Sequence, residues 1–490
     1  MMSTTRQAAC LAAGTALSAA LIAVGCTVGP DYVRPAVQTP AAFKETEGWK
    51  IAQPRDNLPR EHWWEVFGDP VLNGLVSQVD INNQNIKVAE ANLRQARALT
   101  AQARSAFFPT VTGNASATRG AASGSGRTVG SNSGTGVVAN VYNVQLDATW
   151  ELDLWGRVRR NVESSEAGEQ ASTADLESAK LSAQAQVTTD YLLLRVQDAV
   201  IELLQDTANA YDKSLTLTKN QYAVGVAGRG DVVLAETQLK STQAQAIEAK
   251  VLRAQLEHAI AVLIGKPPSE FSIAPAQLDK VFPDIPVGMP SELLERRPDI
   301  AGAERRAAAA NAQIGVAEAA FYPTVTLSAT GGFASSSIAN LFSLPSRYWS
   351  VGAALAQTLF DAGLRQAQTD QAIAAYDASV AAYRQTVLAA FQDVEDSLAA
   401  LHYLEDEAAV QDAAVQAARE SLTITLNQYR AGTANYLAVV VVQAGTLNNE
   451  RTAVTILGQR YAASVALIKA LGGGWPGVAA ATASTAKPRE

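Results

Sequence analysis

The side chains in this sequence that could do chemistry are few and poorly matched to one another. Three histidines, His62, His258 and His402, are scattered along the chain without the serine, cysteine or carboxylate companions of a nucleophile–base pair or a metal site. The run Gly472–Gly474 lacks the following Lys and Ser/Thr of a phosphate-binding loop. Catalysis is therefore disfavoured, and no cofactor or metal is implied. Asp147, Glu151 and Asp153 are better placed, because odd-numbered positions share one face of a strand. Two readings of them stay open. They form a negative zone favouring cations if that face borders water, or they pair with Arg119, Arg157 or Arg159 to hold the strand ends. A last group surrounds two glycine-bearing turns: Tyr222, Arg229 and Asp231 beside Gly225, Gly228 and Gly230, and Tyr429 and Arg430 beside Gly432, with Leu437 just beyond. Chain reversal alone accounts for the glycines.

One cysteine carries a modification signal. Arg6 precedes the apolar stretch Leu11–Val24, and Ala23-Val24-Gly25-Cys26 resembles a lipobox. Removing residues 1–25 discards Cys10 and leaves Cys26 as the sole thiol, so neither an internal disulfide nor a cysteine metal site is available. Thr27, in place of aspartate, favours sorting to the outer membrane, with Cys26 as the lipid anchor. Charged residues make up 18% of the chain and the net charge is -8, so nothing points to nucleic acid. Beyond the leader no run of 18 apolar residues occurs, which disfavours a helical membrane span but leaves a β-barrel open.

The elements that must position these groups are unusually long. Arg157–Tyr222 contains no proline and repeats its apolar residues at helical spacing; at 1.5 Å per residue such a helix is about 100 Å long. Leu364–Arg430 is a second stretch of the same kind. No proline lies between Pro109 and Pro267, or between Pro345 and Pro476, and long helices fit in those gaps. Further helices are expected at Val71–Ala106, Asp231–Ile264, Pro298–Ala320 and Asn435–Leu471. A proline-rich arm precedes them, docked by Trp63 and Trp64. The two halves repeat. Phe107-Phe108-Pro109-Thr110-Val111 recurs as Phe321-Tyr322-Pro323-Thr324-Val325, and Gln221–Gly225 recurs at Gln428–Gly432.

Between the helices the period changes to two. Tyr142, Val144, Leu146, Ala148, Trp150 and Leu152 alternate with Asn143, Gln145, Asp147, Thr149, Glu151 and Asp153. Strands are expected near 107–119, 140–153, 321–333 and 347–360, each long enough to cross a bilayer when tilted. Phe107, Phe108, Trp150, Trp155, Phe321 and Tyr322 suggest one aromatic girdle, and Tyr142, Tyr348 and Trp349 the other. Four strands cannot close a barrel alone, and open edges are not tolerated in lipid, so the chain must oligomerise. Two, three or four copies would all satisfy that requirement.

Three motifs in order, Cys26-Thr27-Val28-Gly29-Pro30-Asp31-Tyr32, Leu293-Leu294-Glu295-Arg296-Arg297-Pro298-Asp299-Ile300 and Ala470-Leu471-Gly472-Gly473-Gly474-Trp475, resemble those of the outer-membrane factors of tripartite efflux systems, NodT/OprM-like lipoproteins of the TolC superfamily. The resemblance implies a mainly α fold with membrane β: a homotrimer whose four strands per chain make a 12-stranded barrel, continuous with a long α-helical periplasmic barrel. It implies a periplasmic adaptor and a proton-driven RND inner-membrane transporter as partners, an outer-membrane location and passive conduction of small toxic compounds. The division that follows is a signal peptide over 1–25, a lipidated extended arm over 26–70 and repeats over 71–268 and 299–475. A connector over 269–298 and a disordered tail over 476–490 complete it. In such channels the helix turns form a closed periplasmic gate that the adaptor engages. The resemblance thereby implies gate or adaptor contacts for Tyr222, Arg229, Asp231, Tyr429 and Arg430, and an apolar constriction at Leu437, where Val439–Val442 replaces an acidic ring. A type I protein-secretion duct and a scaffold lipoprotein without a pore are the alternatives.

Overall fold

The computed structural model describes residues 27–40, 42–44, 60–121, 138–277 and 296–473. Cys26, the leader, the Gly- and Ser-rich segment 122–137 between the first two strands, the greater part of the connector and the tail lie outside the described residues. Among those described, seven helices and four strands follow in the order α1 (Pro70–Asn82), α2 (Gln84–Ser105), β1 (Thr110–Ala121), β2 (Val138–Leu152), α3 (Arg157–Ala223), α4 (Arg229–Leu263), α5 (Pro298–Ala319), β3 (Thr324–Ser335), β4 (Arg347–Ala356), α6 (Leu364–Arg430) and α7 (Tyr436–Ala470). The two rods α3 and α6 are 67 residues each.

Two compact units divide the chain, and each draws on both repeats. One holds the strands, with Arg94–Gln170 and Glu304–Ala382; the other is helical, with Ala36–Leu93, Ala171–Ala303 and the chain from Tyr383 onward. Leu72, Val79, Tyr191, Leu194, Val394 and Tyr461 lie in the helical unit's core, each at most 1% exposed. Full burial of an aliphatic side chain of this size contributes about 2 kcal/mol. Trp63 and Trp64 join that core edge-to-face, with ring centroids 5.9 Å apart.

The expected helix Val71–Ala106 is in fact two. Asn83 breaks it with an extended backbone (φ -60, ψ 124), and its Oδ1 accepts from the amides of Asn85 and Ile86 at 2.9 and 3.1 Å. Periodicity passes unbroken through such a site, because the break comes from a side chain competing for backbone amides. The Asn83 Nδ2 donates to the carbonyl oxygen of Leu263 at 2.8 Å, fastening the break to the end of α4.

Duplication reaches down to individual hydrogen bonds. Arg297 occupies the second repeat's equivalent of Asn83 and donates to the carbonyl oxygen of Ala470, the equivalent of Leu263, at 3.2 Å. The helices α3, α4, α6 and α7 each end on a left-handed glycine: Gly225, Gly265, Gly432 and Gly472, with φ of 78, 71, 75 and 88°. At each end the amide after the glycine bonds back five residues, as Val226 does to Gln221 and Thr433 to Gln428. At Gly265 and Gly472 the fit is also steric. A Cβ there would stand 2.5 Å from the carbonyl oxygen of Asn82 and 2.6 Å from that of Arg296.

The strands form one antiparallel sheet in the order β1-β2-β3-β4. Its bounds differ from the expected ones at both ends. Phe107, Phe108, Phe321 and Tyr322 fall before the strands, and β4 stops at Ala356. Gln357, within the expected span 347–360, lies beyond the strand, where its Nε2 donates to the Phe321 carbonyl oxygen at 3.2 Å.

Candidate functional site

The sheet's register sorts its residues onto two unlike faces. Directly paired residues share a face, so Thr112, Asp147, Thr330 and Ser350 make one polar row across all four strands. Val111, Ala148, Ala329 and Val351 make the next row, on the opposite face. That second face exposes Val111, Leu146, Trp349, Val351 and Leu355. Among the described residues, the outer strands β1 and β4 each have one edge without a strand partner.

Asp147 is the hub of the polar face. Its carboxylate accepts from Asn114 Nδ2 at 2.8 Å, Gln145 Nε2 at 2.7 Å and the Thr330 hydroxyl at 2.7 Å. The Tyr348 hydroxyl reaches over Gly332 from β4 and donates to Asn143 Oδ1 and Gln145 Oε1 at 3.0 and 2.5 Å. No other residue fits beneath it: a Cβ on Gly332 would lie 2.4 Å from the Val144 carbonyl oxygen. Tyr348 therefore belongs to the polar network and not to an aromatic girdle, because it is one residue out of step with Trp349.

The other two acids behave differently. Glu151 forms a fork with Arg157, at 3.0 Å to Nε and 2.7 Å to Nη2. This bond raises the Arg157 guanidinium above its ordinary pKa, with burial opposing it. Asp153 accepts from the amides of Val158 and Arg159, both at 2.9 Å, and from Arg159 Nε at 3.2 Å, so it caps the start of α3. Glu151 and Asp153 each pair with an arginine, while the partners of Asp147 among the described residues are neutral.

At the strand–helix junction, Trp155 stacks on Tyr322 with centroids 4.9 Å apart and donates from Nε1 to the Pro323 carbonyl oxygen at 2.7 Å. Trp150 donates to the Phe107 carbonyl oxygen at 3.0 Å. A feature that composition did not suggest lies beside them, where the first described residues form a strap. The Val28 amide donates to the Trp155 carbonyl oxygen at 3.1 Å. Arg160, only 5% exposed, donates to the carbonyl oxygens of Val28 and Gly29 and to Asp31 at 3.2, 3.0 and 2.8 Å. Burial lowers the pKa of that guanidinium, but its bonds to Asp31 and Glu163 outweigh burial and raise it. From the second repeat, Asn311 donates to the Pro30 carbonyl oxygen at 2.9 Å, and Glu304 accepts from the Tyr32 hydroxyl at 2.7 Å. Gly29 and Gly315 pack backbone to backbone, since a Cβ on Gly29 would lie 2.4 Å from the Gly315 Cα. The only trace of the strap in the sequence is the Thr27–Tyr32 motif itself.

In the helical unit the two turns come together. Tyr429 is buried; its ring tilts against Tyr436 at 5.3 Å, and its hydroxyl lies 3.3 Å from that of Thr218 on α3. Burial is the first cause that pushes the Tyr436 hydroxyl up to about 12. Asp231 accepts from the Gly228 amide at 3.1 Å and so caps α4; Asn435 does the same service for α7 by accepting from Ala438 at 3.0 Å. Tyr222, Arg229, Arg430 and Leu437 are exposed, with Arg430 donating to Asn427 Oδ1 at 3.4 Å. Leu437 and Val441, one helical turn apart, are 55% and 63% exposed. The six turn residues thus divide into four displayed outward and two, Asp231 and Tyr429, engaged within the chain.

Known proteins share this construction. Residues 75–266 and 289–473 match the model of the family described as outer membrane efflux protein. The toluene efflux pump outer membrane protein TtgC of Pseudomonas putida is 31% identical over 462 residues, covering 93% of this chain and 94% of that protein. The cation efflux system protein CusC of Escherichia coli is 28% identical over 463 residues, covering 93% and 97%. The solved outer-membrane channel OprN superposes with a TM-score of 0.86 at 34% identity, over 92% of this chain and 100% of that one.

Proposed function

Because this chain belongs to the outer membrane efflux protein family, we propose that three copies of it form the outer-membrane exit duct of a tripartite efflux system, passively conducting small toxic compounds. The observation that carries the reading is the two-faced sheet with two unpaired edges. In a bilayer the edge β1 of one copy must meet β4 of the next. Three copies close twelve strands, with the Asp147 row facing water and the Trp349–Val351 face toward lipid. Chemistry is then left to the partners, an energised RND transporter and a periplasmic adaptor. The names of the relatives, toluene and cation efflux proteins, favour small cargo over secreted protein.

Cys26 anchors the duct by acylation beside the strap, on the lipobox that precedes Thr27. The exposed turn residues Tyr222, Arg229, Arg430 and Leu437 hold the periplasmic end shut and meet the adaptor, with Leu437 and Val441 as the apolar constriction. Asp231 and Tyr429 support them from within. The uncompensated charge of Asp147 gives the duct a preference for cations, while Glu151 and Asp153 are spent on their arginines. The test is twofold. In planar bilayers the full-length protein is expected to form channels, with Leu437→Ser raising the open fraction and Asp147→Asn reducing cation preference. In a strain lacking the gene, sensitivity to solvents, dyes and antibiotics is expected to rise. A full-length protein without conductance overturns the duct.

A further inference from the structure

The charges of the strand region are distributed oddly. Asp147 and Glu151 lie in the helix-side half of β2; across 110–146 and 324–356 the sequence contains Arg119, Arg127 and Arg347 and no carboxylate. Arg127 lies outside the described residues. The register fixes the face of the other two. Arg347 pairs with Phe333, Phe333 with Val144 and Val144 with Ala115, which is the face of Trp349 and Val351. Arg119 pairs with Asn140, two residues along from the Ala117–Tyr142 pair, and so shares that face. Both arginines stand near the loop-side ends of the two edge strands, and among the described residues neither makes an ion pair.

The connection from β3 to β4, which leads directly into Arg347, adds an apolar surface. Ile338, Phe342 and Leu344 are 69%, 70% and 79% exposed. The Phe342 ring packs against Phe333 edge-on at 5.6 Å, so this connection leans toward the apolar face. Its shape is set internally, because the hydroxyls of Ser343 and Ser346 both donate to the Asn340 carbonyl oxygen, at 2.7 and 2.8 Å. Three large exposed apolar side chains in the connection that leads into Arg347 are poorly suited to water. They suit a molecule that carries acyl chains and a phosphate together, since guanidinium binds phosphate oxygens through paired, charge-assisted hydrogen bonds.

The geometry points to a lipid site at the loop-side rim of the apolar face, formed by Arg347, Phe342 and their neighbours, whose ligand is the phosphorylated, multiply acylated glycolipid of the outer leaflet. The site rests on the proposed closure of the sheet in the outer membrane. At each seam between copies, Arg119 of one edge strand and Arg347 of the other flank the same junction, so the lipid also bridges copies.

The test uses the purified full-length protein, stripped of lipid, with three probes: deep-rough lipopolysaccharide, the same lipid dephosphorylated, and phosphatidylglycerol vesicles. Binding to the phosphorylated glycolipid is expected to be about tenfold tighter than to either other probe, with Arg347→Gln removing most of that preference and Arg347→Lys retaining part of it. Phe342→Ser is expected to weaken binding of both glycolipid forms. Equal binding by Arg347→Gln and the unaltered protein overturns the site, as does equal affinity for the vesicles. A change in oligomeric state without a change in lipid binding also overturns it, by making this surface a contact between copies. Conductance of the same preparations separates the two ideas. Loss of channels in the unaltered protein defeats the duct; intact channels with lipid binding indifferent to Arg347 defeat the lipid site alone.

Discussion

The two repeats end their helices alike and fill the same positions differently. At the junction the first repeat uses Asn83 against the Leu263 carbonyl oxygen, and the second uses Arg297 against that of Ala470. Arg297 also pairs with Asp299 and Asp393, at 2.7 and 3.1 Å, so a neutral cap in one repeat is a charged tie between helices in the other. At the turns, Tyr222 is exposed whereas its counterpart Tyr429 is buried against Tyr436. In the rods, Asp190 is a buried carboxylate where the other repeat has Ser397, whose hydroxyl donates to the Asp393 carbonyl oxygen. Duplication has preserved what the backbone requires and released what side chains do. The glycine ends are common to both copies, and the asymmetry lies in which residues are displayed.

The largest effect is expected where the repeats agree. Gly265→Ala and Gly472→Ala should each cost on the order of 3 kcal/mol, because a Cβ is disfavoured at positive φ and collides with the facing carbonyl. Urea denaturation followed by circular dichroism should show the two losses equal within error. A large inequality would break the equivalence of the two junctions. Where the repeats differ, so should the costs. Tyr429→Ala is expected to destabilise by about 3 kcal/mol through the cavity it opens. Tyr222→Ala should lie within about 0.5 kcal/mol of the unaltered protein while changing channel opening.

The junction side chains come next. Arg297→Met should cost about 2 kcal/mol, a value kept low because Asp299 and Asp393 are 35% and 55% exposed. Asn83→Ala should cost about 1 kcal/mol, as for a lost helix cap. Thermal midpoints of the two variants would rank them.

The smallest effect concerns pH. Burial raises the carboxyl pKa of Asp190, against the opposing bond from Gln186. The folded chain therefore holds that proton more tightly than the unfolded chain. The associated stability is fully present below the unfolded pKa, about 3.9, and is lost as pH rises through the folded value. Asp190→Asn should accordingly stabilise the protein at pH 7 and leave it little changed near pH 3, whereas Ser397→Asp should introduce the same slope into the second repeat. Melting curves across that range would measure both.

Much of this was legible in the residues. The rods α3 and α6 were apparent because proline is absent from them and apolar residues recur at helical spacing. The faces of β2 were apparent because six alternations admit one register. The break at Asn83 was not, since a side-chain cap leaves the apolar period intact. Tyr348 was misassigned because an aromatic at a strand end looks the same on either face until the register is known. The strap was hidden for a different reason. Arg160, Asn311, Glu304 and Gly315 come from distant helices and share no local pattern, so only the fold assembles them around Val28–Tyr32.

The central claim is that one face of the sheet borders a water-filled duct and the other borders lipid. Ser328 and Ala329 are adjacent in β3 and point to opposite faces. Single cysteines at these two positions, in channels reconstituted in planar bilayers, can be challenged with a bulky, charged, membrane-impermeant thiol reagent. Ser328→Cys is expected to lose conductance stepwise, once per copy, while Ala329→Cys and the unaltered protein keep theirs. Block at Ala329→Cys with none at Ser328→Cys, or equal block at both, would contradict the account.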